Sequence, residues 1–262
     1  MHDFVEGEIR GFVKERLRNK AIRTRWDEPL VACADAKDPL FDELKKAVSP
    51  SHALPGDLLT GARTVIVYFM PFGRDIARSN RKGYHASEEW AVAYVETNRL
   101  IVDLNRHLTT VLGDRGYRSA DLPPTHNFDK VRLMSDWSHR HVAYIAGLGT
   151  FGTHNLLITE RGCCGRIGSL VTDAAIEPTR RPEEEFCLYK YNGTCLRCVK
   201  QCVTGALRED AFDRHKCYAL LLENAEIYKH EGLADVCGKC TTVVPCSFTN
   251  PVRKLREKEN KE

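Results

Sequence analysis

The sequence predicts an α+β protein in two parts, a larger part that mixes helices and strands and a short, loop-rich part stabilised by metal sites. Helical and strand-like hydrophobic patterns alternate up to residue 172. The composition then changes at 177–185, where EPTRRPEEE is charged, contains proline and is poor in apolar residues, as is typical of a linker. Eight of the eleven cysteines follow this linker. We therefore expect domains at residues 1–180 and 181–262.

Local patterns predict the main elements of the larger part. Apolar residues at helical spacing predict amphipathic helices over 3–19 and 88–113, and a short helix over 139–146 that ends at Gly147. The apolar, β-branched segment 64–70 lies between Gly61 and Pro71 and predicts a buried strand. Two further strands are predicted at 156–159 and 167–172, on either side of the turn ERGCCG.

Composition and charge exclude several classes of protein. Hydrophobic residues make up 42% of the chain, which is enough for a buried core. A net charge of +3 does not indicate a nucleic-acid-binding protein. The sequence contains neither a signal-peptide h-region nor an apolar run near the ~20 residues that a membrane span requires. We therefore expect a soluble, cytoplasmic protein without a membrane partner.

The cysteines predict iron–sulfur clusters. Cytoplasmic thiols stay reduced, so eleven cysteines indicate metal or redox chemistry rather than disulfides. The runs CLRCVKQC (195–202) and CGKCTTVVPC (237–246) contain Cys-x-x-Cys turns, in which two thiolates converge on one metal centre. Eight cysteines supply two 4Fe–4S clusters, and in two-cluster ferredoxins the last cysteine of a run serves the other cluster. This logic assigns one cluster to Cys187, Cys195, Cys198 and Cys246, and the other to Cys202, Cys217, Cys237 and Cys240.

Structural zinc is the alternative, because zinc also binds paired Cys-x-x-Cys turns. The spacing to Cys202 and the following TGAL favour the ferredoxin interpretation. The run nevertheless departs from the usual pattern. Asn192 stands where a ferredoxin has a cysteine, Val203 replaces the usual proline, and five residues separate Cys240 from Cys246.

Several segments together resemble epoxyqueuosine reductases and the related reductive dehalogenases. They are ARTVIVYFMPF (62–72), RHVAYIAGLGTFG (140–152), NLLIT (155–159) and GRIGSLVTD (165–173), followed by the cysteine runs. The resemblance implies a nitroreductase-like α/β core, a C-terminal two-cluster ferredoxin-like domain, and two 4Fe–4S clusters that pass electrons to a base-off cobalamin. The cobalamin would lie against Ala146, Gly147, Leu148, Gly149 and Gly152. Taken alone, this glycine-rich turn is also compatible with a helix end that only leads into a strand.

The resemblance also implies a proton donor and partners. Asp136 is the nearest counterpart of the family's acid, although its spacing to Ala146 is shorter. His139 is the substitute candidate. His141, His154, Tyr144 and the adjacent Cys163 and Cys164 are further polar groups near the glycine turn, for which packing is the simpler interpretation. The implied electron donor is an external flavodoxin or ferredoxin. A tRNA substrate is doubtful here, because the family's C-terminal helical repeats have no counterpart in the sequence.

Two functions therefore remain open from the sequence. One is a cobalamin-dependent reductase with its own substrate. The other is an electron-transfer or activating protein for a corrinoid protein or another partner. The glycine-turn region favours the reductase, since a plain ferredoxin does not need it.

Overall fold

The computed structural model describes residues 1–259 as a mixed α/β protein. The predicted second domain runs to residue 262, so its last three residues lie outside the described part. The elements in chain order are α1 (His2–Arg16), β1 (Leu30–Asp35), α2 (Leu40–Ala47), α3 (Pro55–Leu58), β2 (Thr64–Pro71), α4 (Arg74–Ser79), α5 (Glu88–Gly113), β3 (Ser119–Asp121), β4 (Phe128–Asp129), β5 (Met134–Ser135), α6 (His139–Ile145), β6 (Gly149–Phe151), β7 (Leu157–Thr159), β8 (Gly165–Thr172), α7 (Leu188–Asn192), α8 (Arg197–Gln201), α9 (Arg214–Ile227) and α10 (Pro251–Glu259).

A four-stranded antiparallel sheet forms the centre, in the order β1-β2-β8-β3. Every residue of β2 is buried, and its successive side chains point to opposite faces. Ile66, Tyr68 and Met70 pack towards α1 and α5, whereas Val65 and Val67 pack towards α2 and α6. The sheet is therefore covered by helices on both faces, which explains why the sequence of β2 is apolar without interruption.

The predicted helices and strands are largely present. The strand over 64–70 and the helix over 88–113 appear as β2 and α5, and the helix at 139 appears as α6. The two strands expected at 156–159 and 167–172 are also present, as β7 and β8, but they lie in different sheets. β7 pairs with β6 in a separate hairpin, whereas β8 enters the central sheet, so the two strands are not partners. The central position of β8 between β2 and β3 depends on contacts distant in sequence.

The cysteine-rich segment after residue 186 consists of short helices and loops that contact the larger part closely. Asn80 donates a side-chain hydrogen bond to the Cys237 carbonyl (2.8 Å), and the backbone N–H of Cys163 donates to the Cys246 carbonyl (3.0 Å). A methyl group added at Gly238 would lie 2.2 Å from the Trp90 ring. The linker itself has no regular structure, and Thr179 hydrogen-bonds to the backbone of β1.

Within residues 1–259, no helix is both long and apolar enough to cross a membrane. The domain boundary expected near residue 180 stays a prediction, because the two parts share a continuous packed interface.

Candidate functional site

The eight predicted cluster ligands line two separate cavities. The first cysteine cavity is small and is lined by Thr153, His154 and one set of four cysteines: Cys187, Cys195, Cys198 and Cys246. The second cysteine cavity has a volume of about 380 Å³ and is lined by the other four: Cys202, Cys217, Cys237 and Cys240. Each cavity therefore holds four thiols, in the two groups that the ferredoxin spacing predicts. Which metal they bind stays a prediction.

Short turns and helix ends bring these cysteines together. Cys195 and Cys198 lie at the start of α8, and Cys202 lies at its C-terminal end, directed to the second cavity. Cys217 lies in the first turns of α9. Cys246 joins the first set from far along the chain, because the backbone around Cys246 and Ser247 is hydrogen-bonded to the turn before β8.

Burial disfavours the ionised form of several of these thiols. Burial, followed by the nearby Cys246, raises the pKa of Cys198 to about 12. Burial, followed by Cys237, raises the pKa of Cys217 to about 11, and burial also raises the pKa of Cys240. Thiolates so close together need a compensating positive charge, which a metal or an iron–sulfur centre supplies. The donor sets therefore fit soft, thiolate-bound metal centres.

Cys246 also contacts a histidine and a further thiol. The Cys163 Sγ lies 3.9 Å from the Cys246 Sγ, and the His154 Nε2 lies 3.5 Å from it. The backbone N–H of Leu156 donates to His154 Nδ1 (3.1 Å), so Nε2 carries the proton and donates towards Cys246. The hydrogen bond from Cys163, together with the one from His154, keeps the pKa of Cys246 well below its usual range. Cys163 and His154, both interpreted as packing residues from the sequence, therefore belong to the surroundings of the first cysteine cavity.

A third cavity, here called the hairpin cavity, adjoins the second cysteine cavity. It has a volume of about 390 Å³, and the β4–β5 hairpin forms one wall. Its apolar lining includes Phe69, Phe128, Met134, Trp137 and Leu157. Five residues line both the hairpin cavity and the second cysteine cavity: Arg140, Leu156, Cys163, Gly165 and Arg166. These five residues would therefore separate a ligand in the hairpin cavity from the second set of cysteines.

A buried chain of hydrogen bonds fixes two side chains of the hairpin cavity. The indole N–H of Trp137 donates to the Ser169 Oγ (2.9 Å), and this hydroxyl pairs with His139 Nδ1 (2.9 Å). His139 Nε2 donates to the Pro123 carbonyl (2.9 Å), so Nδ1 accepts from Ser169. Burial lowers the pKa of His139 to about 4. His139 is therefore neutral, with both ring nitrogens occupied, and it has no free proton to give in this conformation.

Asp136 does not line the hairpin cavity, although its neighbours Ser135 and Trp137 do. The hydroxyl of Ser51 donates to its carboxylate (2.5 Å). The backbone of Asp136 is hydrogen-bonded to His126 and Ala53. The loop that carries the predicted acid thus borders the cavity, while the acid itself is directed to Ser51.

The glycine turn has a packing role in this structure. A methyl group added at Gly149 would lie 1.9 Å from the Ile158 carbonyl oxygen in the paired strand β7. Gly147 has φ +84° and lies against the Arg180 backbone. Ala146 and Leu148 are buried in the core beneath the sheet. Neither these four nor Gly152, whose added methyl group would meet the ring of His154, lines the hairpin cavity.

Sequence reasoning missed several residues of the hairpin cavity. Ser169 lies in the buried second half of β8, next to the apolar Leu170 and Val171, and it is completely buried. Arg140, Arg166 and Arg214 come from α6, β8 and α9, so only the tertiary structure brings them to one cavity. The one available signal was the unusual run of basic residues HRH at the start of α6.

Fold and site together define a mixed α/β protein with two four-cysteine cavities beside a ligand-sized cavity. Comparison with curated proteins finds epoxyqueuosine reductases. The protein of Bacillus anthracis is 28% identical over 213 residues, which is 73% of this chain and 50% of that protein. The protein of Bacillus cereus is 27% identical over 225 residues, which is 78% of this chain and 52% of that protein. The chain spans about half the length of these relatives. No family model matches the sequence.

Solved structures give the same result for the fold. Epoxyqueuosine reductase from Streptococcus thermophilus superposes with a TM-score of 0.58 at 18% identity, covering 90% of this chain and 65% of that chain. The Bacillus subtilis enzyme, in a structure whose catalytic loop is swung out of the active site, gives 0.56 at 20% identity with the same coverages. A further epoxyqueuosine reductase structure (TM-score 0.55, 20% identity, again 90% and 65% coverage) contains an epoxyqueuosine-modified tRNA stem loop. The chain therefore resembles the epoxyqueuosine reductases in sequence and fold, and the resemblance predicted from its motifs is confirmed.

Proposed function

We propose that the protein is an iron–sulfur reductase that passes electrons through two 4Fe–4S clusters to a bound cobalamin, which reduces an organic substrate. The observation that carries the proposal is the arrangement of three adjacent cavities. Two of them are lined by four cysteines each, and the second shares a wall with the hairpin cavity. On this proposal residues 1–180 form a nitroreductase-like core and residues 181–262 a ferredoxin-like domain.

The clusters have an order along the electron path. His154 lines both cysteine cavities, so the clusters would be neighbours. The cluster on Cys202, Cys217, Cys237 and Cys240 would lie nearer the hairpin cavity, and the other cluster would receive electrons from an external flavodoxin or ferredoxin. Anaerobic protein should contain about eight iron atoms and eight labile sulfides, as two cubanes require. Stoichiometric zinc without labile sulfide would support the structural-zinc alternative instead.

Cobalamin would occupy the hairpin cavity on this proposal. The apolar walls fit the face of a large macrocycle, and the cavity adjoins the second set of cysteines. When bound, cobalamin supplies a low-valent cobalt centre for reduction. The protein's own contribution is to exclude water with Phe128, Met134 and Trp137 and to deliver a proton. The glycine turn would act indirectly, by holding the β6–β7 hairpin.

Asp136 is the proposed proton donor, after movement of the loop that carries it. Ser135 and Trp137 already line the cavity, so a change of backbone angles at Asp136 would turn its carboxylate inwards from Ser51. The Bacillus subtilis relative, whose catalytic loop has been observed swung out of the active site, offers a precedent for such a movement. The apolar walls of the cavity would disfavour the ionised carboxylate, so that the carboxyl group can carry the proton that it gives.

Epoxyqueuosine is the first candidate substrate to test, both as a free nucleoside and in a tRNA stem loop. The relative in complex with a tRNA stem loop makes RNA a more serious candidate than the sequence suggested. The experiment measures the cobalamin spectrum on titration into cluster-replete protein and then turnover of both forms. Spectral change and turnover support the reductase. No spectral change in folded, cluster-replete protein would refute it and leave the electron-transfer alternative.

A further inference from the structure

The hairpin cavity has an unbalanced positive charge. Among the residues that the structure describes, its lining includes Arg140, Arg166 and Arg214 but no aspartate or glutamate. None of the three forms an ion pair with a carboxylate anywhere in residues 1–259. Arginines in a largely apolar cavity are costly to hold without a counter-charge, since each must be desolvated.

The carboxylates nearest in sequence to the cavity have other partners. Asp129 in the β4–β5 hairpin is paired with Arg132 (2.7 Å). Asp213 caps the N-terminus of α9 by accepting from the Lys216 backbone N–H (2.9 Å). Asp136 accepts from Ser51. None of these three carboxylates lines the hairpin cavity, and none forms an ion pair with its arginines.

Arg140 and Arg214 are the pair available to a ligand. Arg140 uses one N–H to donate to the Asn155 carbonyl (2.8 Å), which holds the guanidinium in the wall, and its other donors have no protein partner in the described chain. Arg214, in the first turn of α9, is exposed at the cavity and makes no side-chain hydrogen bond within residues 1–259. Burial, followed by the charge of Arg214, lowers the pKa of Arg140, which means that the two charges are close enough to repel.

Arg166 is oriented differently. Its guanidinium stacks on the Tyr94 ring (4.0 Å to the centroid), and the Tyr94 hydroxyl donates to Asp235 (2.7 Å). Its charge is therefore partly offset on the side of the second cysteine cavity. His139 and His141 add no charge, because burial lowers the pKa of each to about 4.

We propose that Arg140 and Arg214 form an anion site that binds a phosphate or carboxylate group of the substrate at the wall of the hairpin cavity. Two guanidinium groups with free, fork-shaped donors suit an oxyanion, which accepts charge-assisted hydrogen bonds from both. The identification of the occupant as substrate depends on the proposed function, but the anion site does not.

The test is a phosphorus NMR titration of the full-length, cluster-replete protein with inorganic phosphate, at constant ionic strength set with chloride. We expect saturable binding that Arg214→Gln weakens roughly tenfold or more, because a hydrogen bond to a charged group is lost. Arg214→Lys should restore part of the affinity. Arg106→Gln, which removes an exposed arginine of α5 outside the cavity, should leave phosphate affinity unchanged. Arg140→Gln is a second variant with the same expected loss, if it folds.

Two further arms identify the source of the anion. A titration with acetate in place of phosphate shows whether the site accepts carboxylates. Binding of either anion that depends on the two arginines supports the anion site. If phosphate still binds to cobalamin-loaded protein, the site is available to an anion of the substrate. If cobalamin displaces phosphate, the site binds the cofactor's own phosphate, and the assignment to the substrate is overturned. Absence of saturable binding, or equal affinity in Arg214→Gln, overturns the site. Phosphate binding by protein that binds no cobalamin would refute the proposed function alone.

Discussion

Replacement of Ser169 by alanine tests whether the buried hydrogen-bond chain positions the hairpin cavity. The Ser169 hydroxyl accepts from the Trp137 indole (2.9 Å) and donates to His139 Nδ1 (2.9 Å). Ser169 is 0%, Trp137 1% and His139 8% exposed, so neither partner can turn to solvent. The substitution leaves two buried polar groups without partners.

The expected loss of folding stability follows from those two unpaired groups. An unpaired buried donor or acceptor costs about 1–3 kcal/mol, so the two groups left by Ser169→Ala should destabilise the fold by roughly 2–6 kcal/mol. For a protein of this size 1 kcal/mol shifts the melting temperature by about 2–4 °C, so we expect a decrease of roughly 4–24 °C. Anaerobic thermal unfolding followed by circular dichroism measures it, on preparations matched for iron content.

Ser119→Ala is the matched control. Its hydroxyl, in the edge strand β3, is buried but has no hydrogen-bond partner within residues 1–259. Removing it should be neutral or slightly stabilising. If Ser169→Ala melts within 2 °C of the wild type, or if Ser119→Ala is destabilised as much, the hydrogen-bond chain does not contribute as argued.

Three further predictions concern the metal sites, the acid and the response to pH. Cys195→Ser and Cys240→Ser should each lose about four of about eight iron atoms per chain, measured by iron and sulfide analysis, and retention of full iron would contradict the assignment. Asp136→Asn should keep clusters and cobalamin but lower turnover roughly 10²–10⁴-fold, and an unchanged rate would place the acid elsewhere. His139 has a folded pKa of about 4, below its unfolded value of about 6.5, so the unfolded chain binds more protons between these pH values. The contribution of neutral His139 to the free energy of unfolding is complete above pH 6.5 and should fall by about 2 kcal/mol by pH 5. Melting curves of the wild type and of His139→Gln measure this loss, and the melting temperature of the wild type should depend more steeply on pH.

The elements that the sequence predicts correctly have strong local signals. The long helix α5 and the strand β2 carry continuous hydrophobic periodicity, and their positions follow from the pattern alone. The strand β1 was not predicted, because its short sequence LVACAD becomes a strand only through pairing with β2. For the same reason the partners of β7 and β8 do not follow from the sequence: turn residues indicate that the chain reverses, but not which strand it joins.

The amino-acid pattern was sufficient for the family resemblance, the long helix, the buried strand and the two groups of four cysteines. Cysteine spacing carries this information because Cys-x-x-Cys turns are local. Three features follow only from the folded chain: the second cysteine cavity adjoins the hairpin cavity, Asp136 is directed to Ser51, and Arg140 and Arg214 line one cavity. These features join residues from distant elements, and side-chain direction depends on packing and hydrogen-bond partners that no local pattern records.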